Sequence, residues 1–305
     1  MMKTYIYSQC AKDRASMVRE PQMLAFHEAK YICYSRQRNP YLQERIAEQL
    51  QTALEEEQIQ VFLQPRVNLK RETVCAAEAL ARWHWPDGSW HLPDEFLPAL
   101  RQIGLMPGLD YYMLEQAARI QHQWLHQCDS IIPVSVNFSA DTLLQPDAVH
   151  RITSILRQYH LEAGQIELEL TEHCLMEQQP ELVPILQQLN ASGIPVCLDD
   201  FGAGSSSLSM LLELPVDYVK LDKRFLQKNL DDRRTHYYIL KIIQLLQAAE
   251  VKVIAEGVET AEQAAFLRSL NVEEGQGWHW SRPLHWRMFM HHYVLDKAGK
   301  TCYYI

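Results

Sequence analysis

The sequence predicts an α/β fold, namely a (β/α)8 TIM-like barrel with an antiparallel first strand. Short apolar runs alternate with amphipathic segments of helical period about eight times over roughly 250 residues, a rhythm typical of such barrels. The connection from Gln64 to Val74 is too short for the crossover that joins parallel strands. The first two strands are therefore expected to form an antiparallel hairpin.

The expected strands are short and rich in apolar residues. They cover residues 60–64, 74–78, 133–137, 166–170, 195–199, 218–221, 251–255 and 275–277. Helical periodicity lies between most of them, at residues 109–126, 141–159, 181–192, 233–250 and 261–270. The barrel domain is expected to span residues 48–295, with a helical extension or linker at 1–47 and a C-terminal tail at 296–305.

The composition limits the class of protein. Hydrophobic residues make up 47% of the chain and charged residues 22%, as in soluble globular proteins. No apolar run approaches the length of a membrane span, so we expect no membrane segment in this chain. A net charge of −9 without a basic block argues against nucleic acid as a partner. The 7 cysteines form no Cys-x-x-Cys pair, which predicts reduced thiols and a cytoplasmic protein.

The fifth expected strand ends in two adjacent carboxylates, Asp199 and Asp200, and a glycine-rich loop follows at once. Adjacent carboxylates repel each other, and such a pair persists most easily when cations lie between the two groups. A solvated Asp-Asp turn explains this stretch equally well when it is taken alone. The ends of the other strands decide between these interpretations.

Polar side chains stand at the ends of nearly all the expected strands. A barrel of this kind gathers the C-terminal strand ends at one rim, where its enzymes place their chemistry. Oxygen ligands without a cluster of cysteine or histidine suit Mg²⁺ or Mn²⁺ better than zinc. Two such ions would activate water and polarise phosphorus in phosphodiester hydrolysis. The candidate metal ligands are Glu78, Asn137, Glu169, Asp199, Asp200 and Glu256.

Two basic residues stand at or just past the ends of the expected strands. Lys220 ends the sixth strand and is placed to hydrogen-bond the attacking water, the alternative being a salt bridge to Asp217 or Asp222. Arg82 follows Glu78 closely and is placed to clamp a phosphate, the alternative being a surface ion pair. Either alternative would leave the metal ligands in place.

These residues lie in motifs that resemble those of the bacterial EAL domain family, over residues 48–295. Glu78-Ala79-Leu80 is similar to the three-residue signature that names the family. The other matching motifs are Gln64-Pro65, Val136-Asn137-Phe138-Ser139, Glu169-Leu170-Thr171-Glu172, Asp199-Asp200-Phe201-Gly202, Val219-Lys220-Leu221-Asp222, Ala255-Glu256-Gly257-Val258-Glu259-Thr260, Gln276-Gly277 and Arg282-Pro283-Leu284. A faint similarity of residues 29–39 to the last helix of a GGDEF domain suggests a remnant of such a domain.

The resemblance implies a phosphodiesterase that hydrolyses cyclic di-GMP to linear pGpG. It implies two Mg²⁺ or Mn²⁺ ions, with Ca²⁺ inhibitory, and a homodimer formed through the glycine-rich loop and its neighbouring helix. The implied roles are catalysis for Glu78, Lys220 and Glu256, substrate contact for Gln64, Arg82, Asp222 and Gln276, and support of the loop and site wall for Glu172 and Glu259.

Two other functions compete with hydrolysis of cyclic di-GMP. One is a catalytically silent EAL module that binds cyclic di-GMP or a protein partner, although such members usually lose the metal ligands that this chain keeps. The other is a metal-dependent barrel enzyme acting on carbanions, which explains the ring of ligands but not the whole set of motifs. The loop also departs from the family pattern, reading Gly202-Ala203-Gly204-Ser205-Ser206-Ser207.

Overall fold

The structure is a computed structural model of the chain, and it describes residues 49–128, 131–172, 179–203, 214–227 and 232–295. The expected extension at 1–47, the tail at 296–305 and most of the glycine-rich loop lie outside these residues. A helical segment at 49–55 leads into the first strand. Among the described helices none is long and apolar enough to cross a membrane.

Eight strands close into a barrel, which confirms the predicted fold. They are β1 (Ile59–Asn68), β2 (Thr73–His84), β4 (Val134–Asn137), β5 (Ile166–Thr171), β6 (Val196–Phe201), β7 (Tyr218–Leu221), β8 (Lys252–Ala255) and β9 (Glu274–Gln276). Within the barrel, adjacent strands in the order β2, β4, β5, β6, β7, β8 and β9 pair in parallel. By contrast, β1 pairs antiparallel with both β2 and β9. The antiparallel first strand is therefore confirmed, and it also closes the barrel.

Two strands of two residues each extend the sheet beyond the barrel. β3 (Trp90–His91) pairs with the end of β2, and β10 (Leu284–His285) pairs with β1 at Phe62 and Leu63. The sequence did not predict either, because so short a strand has no periodicity to detect. These two strands place aromatic residues beside the β1–β2 hairpin. There the Phe62 ring makes edge-to-face contacts with the rings of Trp90 and His285.

The helices pack around the barrel. They are α1 (Pro93–Gln102), α2 (Met106–Leu125), α3 (Ala140–Leu143), α4 (Ala148–Gln158), α5 (Gln179–Ala191), α6 (Arg233–Ala248), α7 (Ala261–Ser269) and α8 (Trp286–Phe289). The single helix predicted over 141–159 is wrong, since α3 and α4 are separate. Pro146 lies in the break, where it lacks a donor N–H and disfavours helical backbone at Gln145.

A buried ion pair fills the end of the barrel opposite the predicted rim. Arg66 of β1 donates from Nη1 and Nη2 to Glu167 and from Nε to Glu274, the last contact being 2.9 Å. Both Arg66 and Glu167 are almost fully buried, so each charge needs the other as its partner. This pair was not predicted from the sequence, because it depends on contacts inside the barrel between strands that are more than 100 positions apart in the chain.

Candidate active site

The strand register sets the predicted rim residues side by side. Gln64 faces Glu78 across the β1–β2 hairpin, and Asn137 lies beside Glu169 on the next parallel pair. Asn137 ends β4 and Glu169 lies near the end of β5, whereas Glu78 and Gln64 lie midway along the longer β2 and β1. The fold thus brings together groups that are up to 212 positions apart in the chain.

Lys220 is the centre of this arrangement. Its side chain is fully buried, and its Nζ lies 3.0 Å from Glu78 Oε2, 2.7 Å from Glu169 Oε2 and 2.9 Å from Glu256 Oε1. Asp199 Oδ1 is 3.7 Å away. The alternative salt bridge to Asp217 or Asp222 is wrong: Asp217 accepts from the Val196 N–H, and Asp222 pairs with Arg224.

Glu78 is held by amides as well as by the lysine. Asn137 Nδ2 donates to its Oε1 at 2.9 Å, and Gln276 Nε2 donates to its Oε2 at 2.6 Å. The same Gln276 Nε2 lies 3.2 Å from Gln64 Oε1, and Gln64 donates to the Ser281 carbonyl. Donors from three strands therefore fix the orientation of this carboxylate at a position that is only 6% exposed.

A second group of carboxylates opens toward solvent above this network. Asp199, Asp200 and Glu256 each present one oxygen, and these three atoms lie within 4.8 Å of one another. Asp200 has a positive φ of 58°, which is uncommon outside glycine. The register between β6 and β7 also shifts between Leu198 and Phe201, so the strand is irregular where the two aspartates stand.

Burial and mutual repulsion raise the pKa of most rim carboxylates. Burial, the Glu78 charge and the Asp199 charge raise the pKa of Glu169 to about 8, and similar causes raise that of Asp199 to about 8 and Glu256 to about 7. Burial would also raise the pKa of Glu78, but Lys220 and the amide donors outweigh it and lower that pKa. A surplus of anionic groups over cations at one buried place is the setting that divalent cations relieve.

The residues fit the two ions that the sequence predicts. Glu169 Oε1 is buried and has no hydrogen-bond partner among the described residues, so it is left as a free ligand oxygen. Asn137 uses its Nδ2 for Glu78, which leaves its carbonyl oxygen as the acceptor side of the amide. The six predicted ligands offer oxygen atoms, as Mg²⁺ and Mn²⁺ prefer.

The start of the glycine-rich loop is tied to Glu172, the residue directly after β5. Glu172 Oε2 accepts a hydrogen bond from the Gly202 N–H at 3.0 Å. Gly202 has φ 85°, and an added Cβ there would overlap the Phe225 ring. Only glycine has both the positive φ and the lack of a Cβ that this position requires. Gly202 therefore fixes the backbone conformation directly after Asp199 and Asp200.

The remaining predicted residues occupy more varied places. Arg82 is buried; its Nη1 donates to the Ala81 carbonyl, its guanidinium lies 5.8 Å from the Phe62 ring centroid, and burial lowers its pKa to about 10. It is therefore not a surface ion pair. Asp222 caps the 3₁₀ helix Lys223–Phe225 and binds Arg224. The Glu259 side chain is exposed beside the start of α7, where its N–H donates to Gln263.

Sequence reasoning missed one buried carboxylate that braces the rim. Asp110 of α2 accepts hydrogen bonds from the Ser139 N–H at 2.9 Å, the Ser139 hydroxyl at 2.6 Å and the Thr142 hydroxyl. Ser139 is the second residue after Asn137, so these bonds fix the chain that leaves the ligand. The detectable signal was a charged residue at a buried position of the otherwise apolar face of α2.

Comparison with known proteins shows the family to which the chain belongs. The family model described as "EAL domain" matches residues 47–283. The chain is 35% identical over 240 residues to cyclic di-GMP phosphodiesterase NbdA of Pseudomonas aeruginosa, covering 79% of this chain and 31% of that protein. It is 33% identical over 235 residues to cyclic di-GMP phosphodiesterase PdeR of Escherichia coli K12, covering 77% of this chain and 35% of that one. The chain thus spans about a third of the length of these curated relatives.

Solved structures share the fold. The PaMucR phosphodiesterase in complex with c-di-GMP superimposes with a TM-score of 0.75 at 31% identity, covering 80% of this chain and 99% of that one. The EAL enzyme Bd1971, in a form bound to cAMP and cyclic di-GMP, superimposes with a TM-score of 0.77 at 26% identity, covering 92% of this chain and 78% of that one.

Proposed function

Because the chain belongs to the EAL domain family, we propose that it is a metal-dependent phosphodiesterase that hydrolyses cyclic di-GMP to linear pGpG. The observation that carries the proposal is the convergence of Glu78, Glu169, Asp199 and Glu256 around one buried Lys220. A solvated set of strand-end carboxylates would not be buried against a lysine. Homologues named as cyclic di-GMP phosphodiesterases support the choice of substrate.

Two groups of residues would hold the metal ions. Glu78, Asn137, Glu169 and Asp199 surround one position, and Asp199, Asp200 and Glu256 surround the second, so that Asp199 belongs to both. The bound ions, Mg²⁺ or Mn²⁺, supply a lowered pKa for water and charge neutralisation at phosphorus. Ca²⁺ is expected to inhibit, because its longer bonds and looser geometry do not hold the reacting groups in place.

Lys220 would position the reacting water and offset negative charge. Its Nζ lies within 3.0 Å of carboxylates from both ligand groups, so it sits where they adjoin. An ammonium held in this way has a pKa well above its ordinary value, because the four carboxylate charges outweigh the effect of burial. A charged Lys220 would serve as a hydrogen-bond donor to the reacting water.

The amides and the arginine would bind the substrate. Gln64 and Gln276 stand at the edge of the metal-ligand network, and Arg82 lies further along β2 on the same side as Glu78. Arg82 Nε is buried with no hydrogen-bond partner among the described residues, which leaves it available to an anionic ligand. Asp222, Glu172 and Glu259 would act on the loops that frame the site. The proposal places the reaction in the cytoplasm, in agreement with Cys75 and Cys197, which form no disulfide within the described part of the chain.

A turnover assay tests this proposal. Purified protein is incubated with cyclic di-GMP in Mg²⁺, Mn²⁺, Ca²⁺ or excess chelator, and the products are separated by chromatography. We expect pGpG with Mg²⁺ or Mn²⁺ and none with Ca²⁺ or chelator. Binding of cyclic di-GMP without pGpG under every metal condition would favour the silent receptor, and full turnover in chelator would exclude the two-metal mechanism.

A further inference from the structure

A pair of histidines lies at the C-terminal end of α2. His122 and His126 are one helical turn apart, and their Nε2 atoms are 3.2 Å from each other. The imidazole rings stand edge to face, with centroids 4.7 Å apart. His126 is exposed and His122 half-buried, so solvent reaches the space between the two nitrogens.

A backbone hydrogen bond fixes the tautomer of His122. Its Nδ1 lies 2.9 Å from the Tyr159 carbonyl, which can only accept, so Nδ1 must carry the proton. In the neutral His122 ring, Nε2 then carries a lone pair, and this lone pair faces His126 Nε2. Histidines that bind metal ions commonly donate the other ring N–H to a carbonyl or carboxylate in this manner, because the bond sets the ring orientation.

The spacing of the two nitrogens suits a shared metal ion. Two imidazole nitrogens bound to tetrahedral zinc at about 2.05 Å are about 3.3 Å apart, close to the observed separation. Histidines at positions i and i+4 of a helix are also a recurring chelating pair. The last carbonyls of α2 give this end of the helix a partial negative charge, which favours a bound cation.

We propose that His122 and His126 form a bidentate site for a borderline divalent transition ion, of the Zn²⁺, Ni²⁺ or Cu²⁺ class. Two Nε2 atoms would supply the protein ligands and water the remaining positions. When the ion binds, the His126 proton moves to Nδ1 and both Nε2 lone pairs face the metal. The site lies on α2 and depends on none of the rim carboxylates, so it stands apart from the proposed phosphodiesterase activity.

Calorimetric titration with Ni²⁺ tests the site, on protein whose affinity tag has been removed. The parent is compared with His126→Gln, which removes one ligand at an exposed position and keeps a good helix-forming residue. His150→Gln, an exposed histidine of α4, is the matched control. Ions that bind at the rim contribute equally to all three titrations.

We expect the parent and the control to bind one more equivalent of Ni²⁺ than His126→Gln, or to bind it with an affinity about tenfold or more higher. The melting temperature of the parent should also rise more with Ni²⁺ than that of His126→Gln. Titrations of parent and His126→Gln that agree in stoichiometry and affinity would overturn the proposal. Circular dichroism of each variant confirms that it is folded.

Discussion

The Lys220 ammonium is buried with the side chains of four acidic residues within 3.7 Å. Removing one partner of a buried ion pair typically costs about 3–5 kcal/mol, because the remaining charges are left unpaired. In chelator, we expect Lys220→Met to lower the free energy of unfolding by about 3 kcal/mol, measured by urea denaturation. Hydrolysis should fall near background, since the donor to the water is lost.

The matched control is Lys252→Met on the neighbouring β8. Lys252 is exposed and its Nζ lies 5.0 Å from the Tyr218 ring centroid, so its loss should change the unfolding free energy by well under 1 kcal/mol. Equal stability of the two lysine variants in chelator would contradict the account of Lys220 as the compensating charge.

Asp110 makes folding depend on pH. Burial raises its pKa to about 6 despite hydrogen bonds from Ser139 and Thr142, whereas an aspartate in the unfolded chain titrates near 3.9. The folded state therefore holds the proton more tightly. Its stabilising contribution is complete below about pH 4 and is lost as the pH rises through about 6.

Asp110→Asn cannot ionise and should lack this contribution. We expect the difference in unfolding free energy between variant and parent to move in favour of the variant by roughly 1 kcal/mol from pH 5 to pH 7.5. Denaturant titrations at both pH values give this difference, in which other groups cancel. A difference that does not change with pH would show that the carboxyl group keeps one protonation state over this range.

The connection between β8 and α7 packs directly against the residue that follows β9. Val258 N–H donates to the Gln276 carbonyl, and the His279 N–H donates back to the Val258 carbonyl. An added Cβ at Gly277 would overlap the Val258 backbone, which cannot move without breaking these bonds. Gly277→Ala should therefore cost about 1–3 kcal/mol of stability and should reduce turnover by displacing Gln276.

Gly108→Ala provides the comparison within a helix. An added Cβ at Gly108 meets just Leu54 Cδ1, at 3.9 Å, so alanine there should be neutral or stabilising by up to about 1 kcal/mol. Thermal or denaturant unfolding distinguishes the two variants. If Gly277→Ala were as stable as the parent, the close approach of β9 to the connection would be wrong.

The rim and the strands that carry it were predictable, because strand-end polar residues and apolar runs are local signals. The lengths of β1 and β2 were not: the expected 60–64 and 74–78 extend to Ile59–Asn68 and Thr73–His84. Both strands continue because each pairs with the other beyond the barrel, and pairing partners are not visible in a single run of sequence. Pro146 is a sequence signal for the break between α3 and α4. The helical periodicity on both sides of it nevertheless predicted one continuous helix.

The partners of the buried charges depend on tertiary structure. The strand-end position of Lys220 was visible in the sequence, but its contacts with Glu78 and Glu256 depend on barrel closure. The bonds from Asp110 to Ser139 likewise join α2 to the residue pair after β4. Sequence spacing gives no direct information on such contacts between distant elements.

At the scale of the whole molecule, α6 exposes three large apolar or aromatic side chains on the side that also carries Lys241, whose Nζ lies 5.2 Å from the Tyr237 ring centroid. Tyr237, Tyr238 and Leu245 are 61%, 62% and 45% exposed, which is unusual for a helix that is otherwise amphipathic. The sequence predicts a homodimer through the glycine-rich loop and its neighbouring helix. We propose that the chain forms this homodimer and that the second copy also covers this side of α6. The barrel at 48–295 is proposed as the unit that dimerises, with residues 1–47 and 296–305 as flanking segments.

Sedimentation velocity at micromolar concentration tests the dimer. We expect the parent to sediment as a dimer and Tyr238→Asp to shift toward monomer, since a buried unpaired charge opposes association. Leu105→Asp, at an exposed apolar position before α2, should leave the dimer unchanged. A parent that stays monomeric at all tested concentrations would contradict the proposal.

The central claim is that the rim is a two-metal hydrolytic site, and Glu78→Ala tests it most directly. Glu78 joins Lys220, Asn137 and Gln276, so its removal takes one anionic oxygen from the first ion position. We measure the rate of pGpG formation in Mg²⁺ and the affinity for cyclic di-GMP in Ca²⁺, for parent and variant. A loss of about 4 kcal/mol of transition-state stabilisation corresponds to about a thousandfold in rate. We predict a folded variant whose rate falls by about that factor while it still binds cyclic di-GMP measurably. Hydrolysis by the variant at the parent's rate, or equal binding with no pGpG from either protein, would contradict the account.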